Sequence, residues 1–199
     1  MVKKEKLTLG VVSKRYDRRF KGEVLLYELM NRLPPSKFEF LFVGEGRSED
    51  AARAHGLGFS VRVFENLPYR IFSSLYDVID ILLMTSNFEG GPANLPEAIA
   101  SGTPLASTHV GMAPDLIIEG ENGLFLIGNP RADFKALYSL TENNFAQYYE
   151  LLEGAARANT AITWQQVIER HHNCYMSILN ESKVDFSNER SSRRVSKVG

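Results

Sequence analysis

Cysteine is almost absent from this chain of 199 residues, and long apolar runs are absent altogether. Because Cys174 is the only cysteine, no intrachain disulfide can form, which favours a reducing compartment. The first apolar run covers only residues 7–12, which is too short for a signal peptide, and no run has the length of a membrane span. The sequence therefore predicts a cytoplasmic protein.

Neither sign of charge predominates, because 23 basic residues stand against 24 acidic ones and the formal net charge is −1. This balance gives no indication of a nucleic-acid partner or of a strongly charged protein partner. Hydrophobic residues make up 44% of the chain, as in globular domains. The length suffices for one well-buried α/β domain and is short for two.

Short apolar runs alternate with segments of helical spacing, a pattern typical of a parallel sheet covered on both faces. The predicted strands cover residues 7–13, 38–44, 61–64, 79–84, 104–107 and 124–127. The predicted helices cover residues 22–33, 49–55 and 69–78, a segment that starts near residue 94, and residues 133–141, 144–159 and 164–179. We therefore predict an α/β fold, a single Rossmann-like domain over residues 7–180 with a parallel sheet of about six strands. Residues 181–199 have a basic excess and little to bury, which predicts a disordered tail.

The loop after the fourth predicted strand carries the clearest functional pattern, since ligands of such sheets bind outside the carboxyl ends of the strands. Gly90 and Gly91 allow the backbone to approach a ligand closely, and a helix begins near Asn94. The first amides of a helix have no acceptor within it, and the helix dipole favours negative charge there. The loop can therefore bind a diphosphate through its backbone. Glu89 and Glu97 bracket it, with seven residues between them.

Each of these acidic residues also has a purely structural interpretation. Asn94 followed three residues later by Glu97 matches a capping box, in which Glu97 would only stabilise the helix start. Glu89 could be a solvated acid in a glycine-rich turn. The two interpretations are about equally supported for each residue alone, whereas the combination after a strand favours a functional loop.

The loop sequence resembles that of the retaining glycosyltransferases of family 4. The resemblance rests on Glu-x7-Glu within Glu-Gly-Gly-Pro-x-x-Leu-Pro-Glu-Ala-x-Ala-x-Gly-x-Pro, residues 89–104, and continues through residues 107–117 and 120–124. It extends from about Leu7 to Leu179. It implies the C-terminal, donor-binding domain of the two-domain B-type glycosyltransferase fold.

The resemblance also implies roles for the loop residues. Glu89 would contact the donor sugar in a catalytic role, and Glu97 would bind the ribose hydroxyls of the nucleotide. The donor-binding backbone would lie at Gly90, Gly91, Ala93, Asn94 and Leu95.

A basic segment after the first predicted strand supplies candidate cations for a leaving diphosphate. Lys21 matches the Lys-Gly pair of the family and is our second catalytic candidate, and Lys14 matches its first cation, with Arg15 one residue away. Cations placed there stabilise the developing charge without a metal, and the chain has no Asp-x-Asp sequence. We therefore expect no metal and no cofactor, and a UDP-, GDP- or ADP-sugar as donor substrate. Arg18 and Arg19 are more simply explained as solvated loop residues.

The turn Gly44-Glu45-Gly46 follows the second predicted strand and resembles the start of a dinucleotide fingerprint. Glu49 occupies the place of the third glycine, which argues against NAD. The resemblance instead places Gly44 near the donor, and residues 64–67 beside the nucleobase.

Only six residues precede Leu7, whereas the family has a complete acceptor-binding domain at this point. The leading hypothesis is the donor-binding half of a glycosyltransferase whose acceptor site lies elsewhere. The alternatives are a non-catalytic nucleotide-sugar-binding module or subunit of a split transferase, and a nucleotide-sugar epimerase of related fold. The closing helix of the family packs on the other domain, so we expect residues 164–179 to expose an apolar surface for self-association or a partner chain. Contact of the basic tail with anionic lipid is a weaker alternative.

Overall fold

Six strands form one parallel sheet in the computed structural model, which describes residues 4–15, 21–158 and 163–195. The strands are β1 (Leu7–Val12), β2 (Phe38–Val43), β3 (Val61–Phe64), β4 (Ile81–Met84), β5 (Leu105–Thr108) and β6 (Gly123–Leu126). Their order in the sheet is β3-β2-β1-β4-β5-β6. The predicted Rossmann-like fold class is confirmed.

Helices connect and follow the strands. They are α1 (Glu23–Met30), α2 (Ser48–Gly56), α3 (Phe72–Tyr76), α4 (Asn94–Ala100), α5 (Ala113–Leu116), α6 (Pro130–Ser139), α7 (Ala146–Arg157) and α8 (Trp164–Val195). Short 3-10 turns cover Tyr69–Ile71 and Asn143–Phe145.

The core lies in two layers because successive strand residues point to opposite faces of the sheet. On one face, Leu9 and Phe40 pack with Leu26 and Leu29 of α1 and with side chains of α2, α6 and α7. On the other face, buried residues of β2 and β4 pack with α3, α4 and α5, and Leu95 is completely buried. Both layers are closed, so the strands can be almost entirely apolar.

The structure differs from the sequence-based boundaries mainly at the C-terminal end. The short helix α5 was not predicted. The chain divides into two compact units, residues 1–161 and 162–199, where the sequence indicated one domain over residues 7–180. Helix α8 continues to Val195 through most of the segment predicted to be disordered, since no Pro or Gly interrupts residues 164–195. Residues 196–199 lie outside the described residues.

None of the helices within the described residues combines the length and the hydrophobicity needed to cross a lipid bilayer.

The sheet order reverses between β1 and β4, which are neighbours in the sheet although two other strands separate them in sequence. Their loops leave the same edge of the sheet and come into direct contact. Gly22 precedes α1 with φ +70°, and a Cβ there would lie 1.6 Å from the Thr85 carbonyl oxygen at the end of β4. A side chain at residue 22 would therefore separate the two loops.

We predict that Gly22→Ala lowers the free energy of unfolding by roughly 2–6 kcal/mol, because overpacking and a left-handed non-glycine residue each cost roughly 1–3 kcal/mol. Denaturant unfolding followed by circular dichroism measures this change. Gly56→Ala is the matched control, since a Cβ at Gly56 meets no atom within 4 Å. The control should leave stability unchanged or raise it by up to about 1 kcal/mol. Equal stability of the two variants would contradict the described contact.

Candidate donor-binding site

Two cavities open at the carboxyl edge of the sheet, where the loops after β1 to β5 emerge. The first, here the loop cavity, has a volume of about 560 Å³ and is lined by Lys21, Asn87, Phe88, Glu89, Gly90, Val110 and Gly111. The second, here the sheet cavity, has a volume of about 460 Å³. It is lined by Val12, Ser13, Lys14, Lys21, Val43, Gly44, residues 65–67, Phe72, residues 92–94 and Glu97. Lys21 lines both.

Lys21 and Glu89 form an ion pair at this edge, with Nζ and Oε1 2.5 Å apart. The two side chains are only 16% and 11% exposed, so water screens their attraction less than that of a surface pair. The Ser86 hydroxyl donates to the same Glu89 oxygen at 2.7 Å. The carboxylate is therefore held by one partner from the loop after β1, Lys21, and one from the loop after β4, Ser86.

Hydrogen bonds and a close backbone contact fix the two loops that carry this pair. The Thr85 hydroxyl donates to the Lys21 carbonyl at 3.0 Å, and the Thr108 hydroxyl donates to the Ser86 carbonyl at 2.5 Å. Gly111 has φ +56°, and a Cβ there would lie 2.8 Å from the Gly90 carbonyl oxygen. The glycine-rich loop thus lies directly on the loop that follows β5.

The start of α4 is not arranged as a capping box. Ala93 is the residue before the helix. The side-chain Nδ2 of Asn94 donates to the Val12 carbonyl at the end of β1, 2.8 Å away. Glu97 instead accepts a hydrogen bond from the buried Tyr76 hydroxyl at 2.8 Å. Glu97 thus lies in the sheet cavity with its carboxylate oriented by α3.

The two candidates for the first cation have different surroundings. Lys14 lines the sheet cavity and pairs with Glu45 at 2.5 Å. Arg15 turns away, toward Glu49 at 2.5 Å and the Tyr27 hydroxyl at 3.4 Å. The structure therefore places Lys14, rather than Arg15, among the cavity residues. Arg18 and Arg19 lie outside the described residues.

The remaining predicted residues divide between the cavities and the interior. Gly44 and Ala93 line the sheet cavity, and Gly90 lines the loop cavity. Gly91 and Leu95 line neither cavity, and the Leu95 side chain is part of the core. Leu95 can therefore contribute only its backbone to a site.

The loop after β3 is anchored to α2 by a carboxylate. The Ser48 amide donates to Glu65 Oε1 at 2.9 Å, and this bond with further donation from Ser48 and Gly46 lowers the pKa of Glu65. Because a hydrogen bond to the charged form stabilises it, Glu65 stays ionised at the mouth of the sheet cavity.

Sequence reasoning did not identify several residues that shape the site, among them Tyr76, Ser86, Gly111 and Arg47. Ser86 precedes Glu89 by three residues, a spacing that could have indicated its bond. Tyr76 lies 21 residues from its partner Glu97, and Arg47 lies 34 residues from Ser13, so nothing local in the sequence marks these contacts. The spacing of Arg47 and Asp50, three residues apart, could have indicated their ion pair. The described residues contain no group of three or more His, Cys, Asp or Glu side chains able to hold a metal ion.

Comparison with known proteins agrees with this geometry. Residues 2–155 match the family model described as glycosyl transferases group 1. The chain is 28% identical over 131 residues to the D-inositol 3-phosphate glycosyltransferase of Corynebacterium urealyticum, a match that covers 65% of this chain and 31% of that protein. It is also 28% identical over 114 residues to the lipopolysaccharide 1,6-galactosyltransferase of Salmonella typhimurium, covering 53% of this chain and 32% of that protein. The chain thus spans about a third of the length of these curated relatives.

Solved structures share the fold. Sucrose-phosphate synthase from Thermosynechococcus elongatus superposes with a TM-score of 0.70 at 22% identity, covering 91% of this chain and 47% of that one. Anabaena HepE, solved with UDP and glucose, has a TM-score of 0.70 at 19% identity, covering 87% of this chain and 49% of that one. The C-terminal domain of a group 1 glycosyl transferase from Francisella tularensis has a TM-score of 0.63 at 20% identity, covering 78% and 85%. The family match over residues 2–155 establishes that the chain belongs to the group 1 glycosyl transferases.

Proposed function

We propose that this domain binds a nucleotide sugar and forms the donor half of a family 4 transferase that passes the sugar to an acceptor with retention. One observation carries the proposal: Lys21 lines both cavities and is held there by its partly buried ion pair with Glu89. A molecule that occupies both cavities must pass the Lys21 ammonium group. A diphosphate in the middle of a nucleotide sugar would lie next to that ammonium group and could accept hydrogen bonds from it.

The sheet cavity takes the nucleoside in this proposal. It is bounded by the ends of β1 and β2 and by the loop after β3, where Leu67 and Phe72 offer apolar surface for a base. Glu97 also lines this cavity, with a carboxylate that can accept hydrogen bonds from two ribose hydroxyls. Lys14 lies near the β1 end of the same cavity and would add positive charge beside the phosphates.

The loop cavity takes the sugar, next to Glu89. When the bond between the anomeric carbon and the phosphate oxygen breaks, its electron pair stays on the oxygen and negative charge grows on the diphosphate. Lys21 stabilises that charge, and the carboxylate of Glu89 faces the positive charge that develops on the sugar. These two residues are the catalytic candidates, and no covalent nucleophile or bound metal is required by this scheme.

The proposal is supported by what relatives bind. HepE was solved with UDP and glucose and with UDP-glucose, and its fold matches this domain at TM-scores of 0.70 and 0.63. The Salmonella relative is named as a galactosyltransferase.

The alternative function is a module that binds nucleotide sugar without transferring it, or a subunit of a split transferase. The site supports it equally, because the two cavities and the cations that line them suffice for binding without transfer. Hydrolysis or transfer assays on the chain alone, and on the chain with added acceptor-domain protein, distinguish the alternatives. Activity that appears only with the second protein would identify a split enzyme.

We predict measurable binding of a nucleoside diphosphate by the isolated chain. Calorimetric titration with UDP, GDP and ADP in buffer containing EDTA should show a Kd in the micromolar to millimolar range for at least one of them, because both cavities and their cations are present. Binding should persist in EDTA, since Lys21 and Lys14 supply the positive charge. Folded protein that binds none of the three ligands would contradict the proposal, and binding that requires added manganese would contradict its metal-free form.

We predict that Glu97→Gln weakens nucleotide affinity by roughly 1–3 kcal/mol, the cost of losing a charged hydrogen bond to ribose. Tyr76→Phe should weaken it less, because the carboxylate remains and loses only its orienting partner. Glu150→Gln, an exposed change on α7, is the charge-matched control and should leave affinity unchanged. If Glu97→Gln instead lowered thermal stability with affinity intact, the residue would be structural.

Helix α8 has an apolar stripe that we propose as the surface for self-association or for a partner chain. Five apolar or aromatic side chains along its first half are more than half exposed, Trp164, Ile168, Tyr175, Ile178 and Leu179. At 100° per residue these positions fall on one side of the helix. Contiguous exposed apolar surface of this kind is typical of an interface.

We predict that the chain sediments as a concentration-dependent oligomer, or as a complex when its partner is present. Ile168→Glu should shift the distribution toward monomer, because it places a charge in the middle of the stripe. Asn173→Glu adds the same charge on the opposite side of α8 and should have no effect. A strictly monomeric wild type at high concentration, with no change on Ile168→Glu, would overturn the self-association form of this proposal.

A further inference from the structure

A completely buried ion pair lies beneath the loop that carries Lys14, and the proposed function makes no use of it. Arg47, in the turn after β2, is 1% exposed and Asp50 of α2 is 0% exposed. The Arg47 Nη1 atom lies 2.5 Å from Asp50 Oδ2. A buried pair of this kind is expensive to desolvate, and an apolar pair of similar size often gives equal stability.

The other two guanidinium nitrogens of Arg47 both donate to a single residue of the β1–α1 loop. Its Nε donates to the Ser13 carbonyl and its Nη2 donates to the Ser13 hydroxyl, both at 2.8 Å. Ser13 is the first residue after β1 and lines the sheet cavity beside Lys14. The planar guanidinium group thus spans from Asp50 to the loop, an arrangement that a lysine cannot reproduce.

The backbone of the same two segments is also matched. Ser13 N donates to the Val43 carbonyl at 3.0 Å, and Arg15 N donates to the Glu45 carbonyl at 2.9 Å. Gly44, with φ +131°, leaves room for the loop, since a Cβ there would lie 2.5 Å from the Ser13 carbonyl oxygen. Residues 13–15 therefore rest on residues 43–47 along their whole length.

Asp50 in turn is fixed by groups from α1 and the loop. The Tyr27 hydroxyl donates to Asp50 Oδ1 at 2.7 Å, and Arg15 Nε lies 3.5 Å from the same oxygen. Burial of Tyr27 and its bond to Asp50 raise the pKa of the phenol, so this donor keeps its proton at neutral pH. The guanidinium group that holds Ser13 is therefore itself held in one position.

We infer that Arg47 is a positioning residue for diphosphate binding: anchored by Asp50, it holds Ser13 so that Lys14 faces the phosphates of the donor. The inference rests on the proposed function. Arg47 touches no ligand in this arrangement and acts only through the loop. Its loss should therefore weaken contacts with the diphosphate and spare contacts with the nucleoside, which lie at Glu97 and the loop after β3.

The test compares two ligands on the full 199-residue chain. The probes are whichever of UDP, GDP and ADP binds the wild type best, and the matching nucleoside. The double variant Arg47→Met/Asp50→Asn removes both buried charges, so that no charge is left unpaired. Arg47→Lys keeps a cation for Asp50 but loses the guanidinium nitrogens that donate to Ser13. This variant replaces the double variant in the test if the double variant does not fold. Arg131→Met, an exposed change on α6 at a residue that lines neither cavity, is the matched control.

For the Arg47 variants we expect diphosphate affinity to fall about tenfold, as for the loss of one charge-assisted contact, while nucleoside affinity changes less than about twofold. The Arg131→Met control should bind both probes as the wild type does. Equal losses for both probes would show a general loosening of the fold and overturn the inference, as would unchanged diphosphate affinity in a folded variant. A wild type that binds none of the three diphosphates would instead refute the proposed function, and the inference with it.

Discussion

The ion pair between Lys21 and Glu89 joins the two loops on which the site depends. One loop leaves β1 and the other leaves β4, and the strand order makes these strands neighbours with their carboxyl ends at one edge. Each partner neutralises the other, so both side chains can be largely buried without an uncompensated charge. The cation is thereby kept at a fixed point between the two cavities.

Other contacts also join β1 and the loop after it to the segment that follows β4. Gly22 lies against the Thr85 carbonyl, and the side-chain amide of Asn94 donates a hydrogen bond to the Val12 carbonyl at the end of β1. Neither contact is a backbone hydrogen bond of a helix or of the sheet. Each therefore depends on the identity of one residue, the glycine at position 22 or the asparagine at position 94. The sheet supplies the proximity, and a glycine, an amide and an ion pair determine the geometry.

The sequence was sufficient to predict the strands and to select several residues that line the cavities at one edge of the sheet. Apolar runs of strand length separated by helical segments predict a parallel sheet, and Glu89, Glu97 and Lys21 follow strands in the pattern of a known family. The same information could not decide between a capping box and a cavity role for Glu97, because the answer depends on Tyr76, twenty-one residues away. It also gave no reason to bury Arg47, since an arginine beside Gly46 and Ser48 is more simply explained as solvated. The basic excess after residue 181 predicted disorder, whereas residues 164–195 contain no Pro or Gly to end a helix, and α8 continues to Val195.

In the proposed complex a nucleotide sugar lies across both cavities with its diphosphate at Lys21. A crystal structure of the chain with bound nucleotide sugar would show this arrangement. We expect phosphate oxygens within hydrogen-bonding distance of Lys21 Nζ, the ribose at Glu97 and the sugar beside Glu89. A well-ordered ligand in the reverse orientation, or one bound away from Lys21, would contradict it.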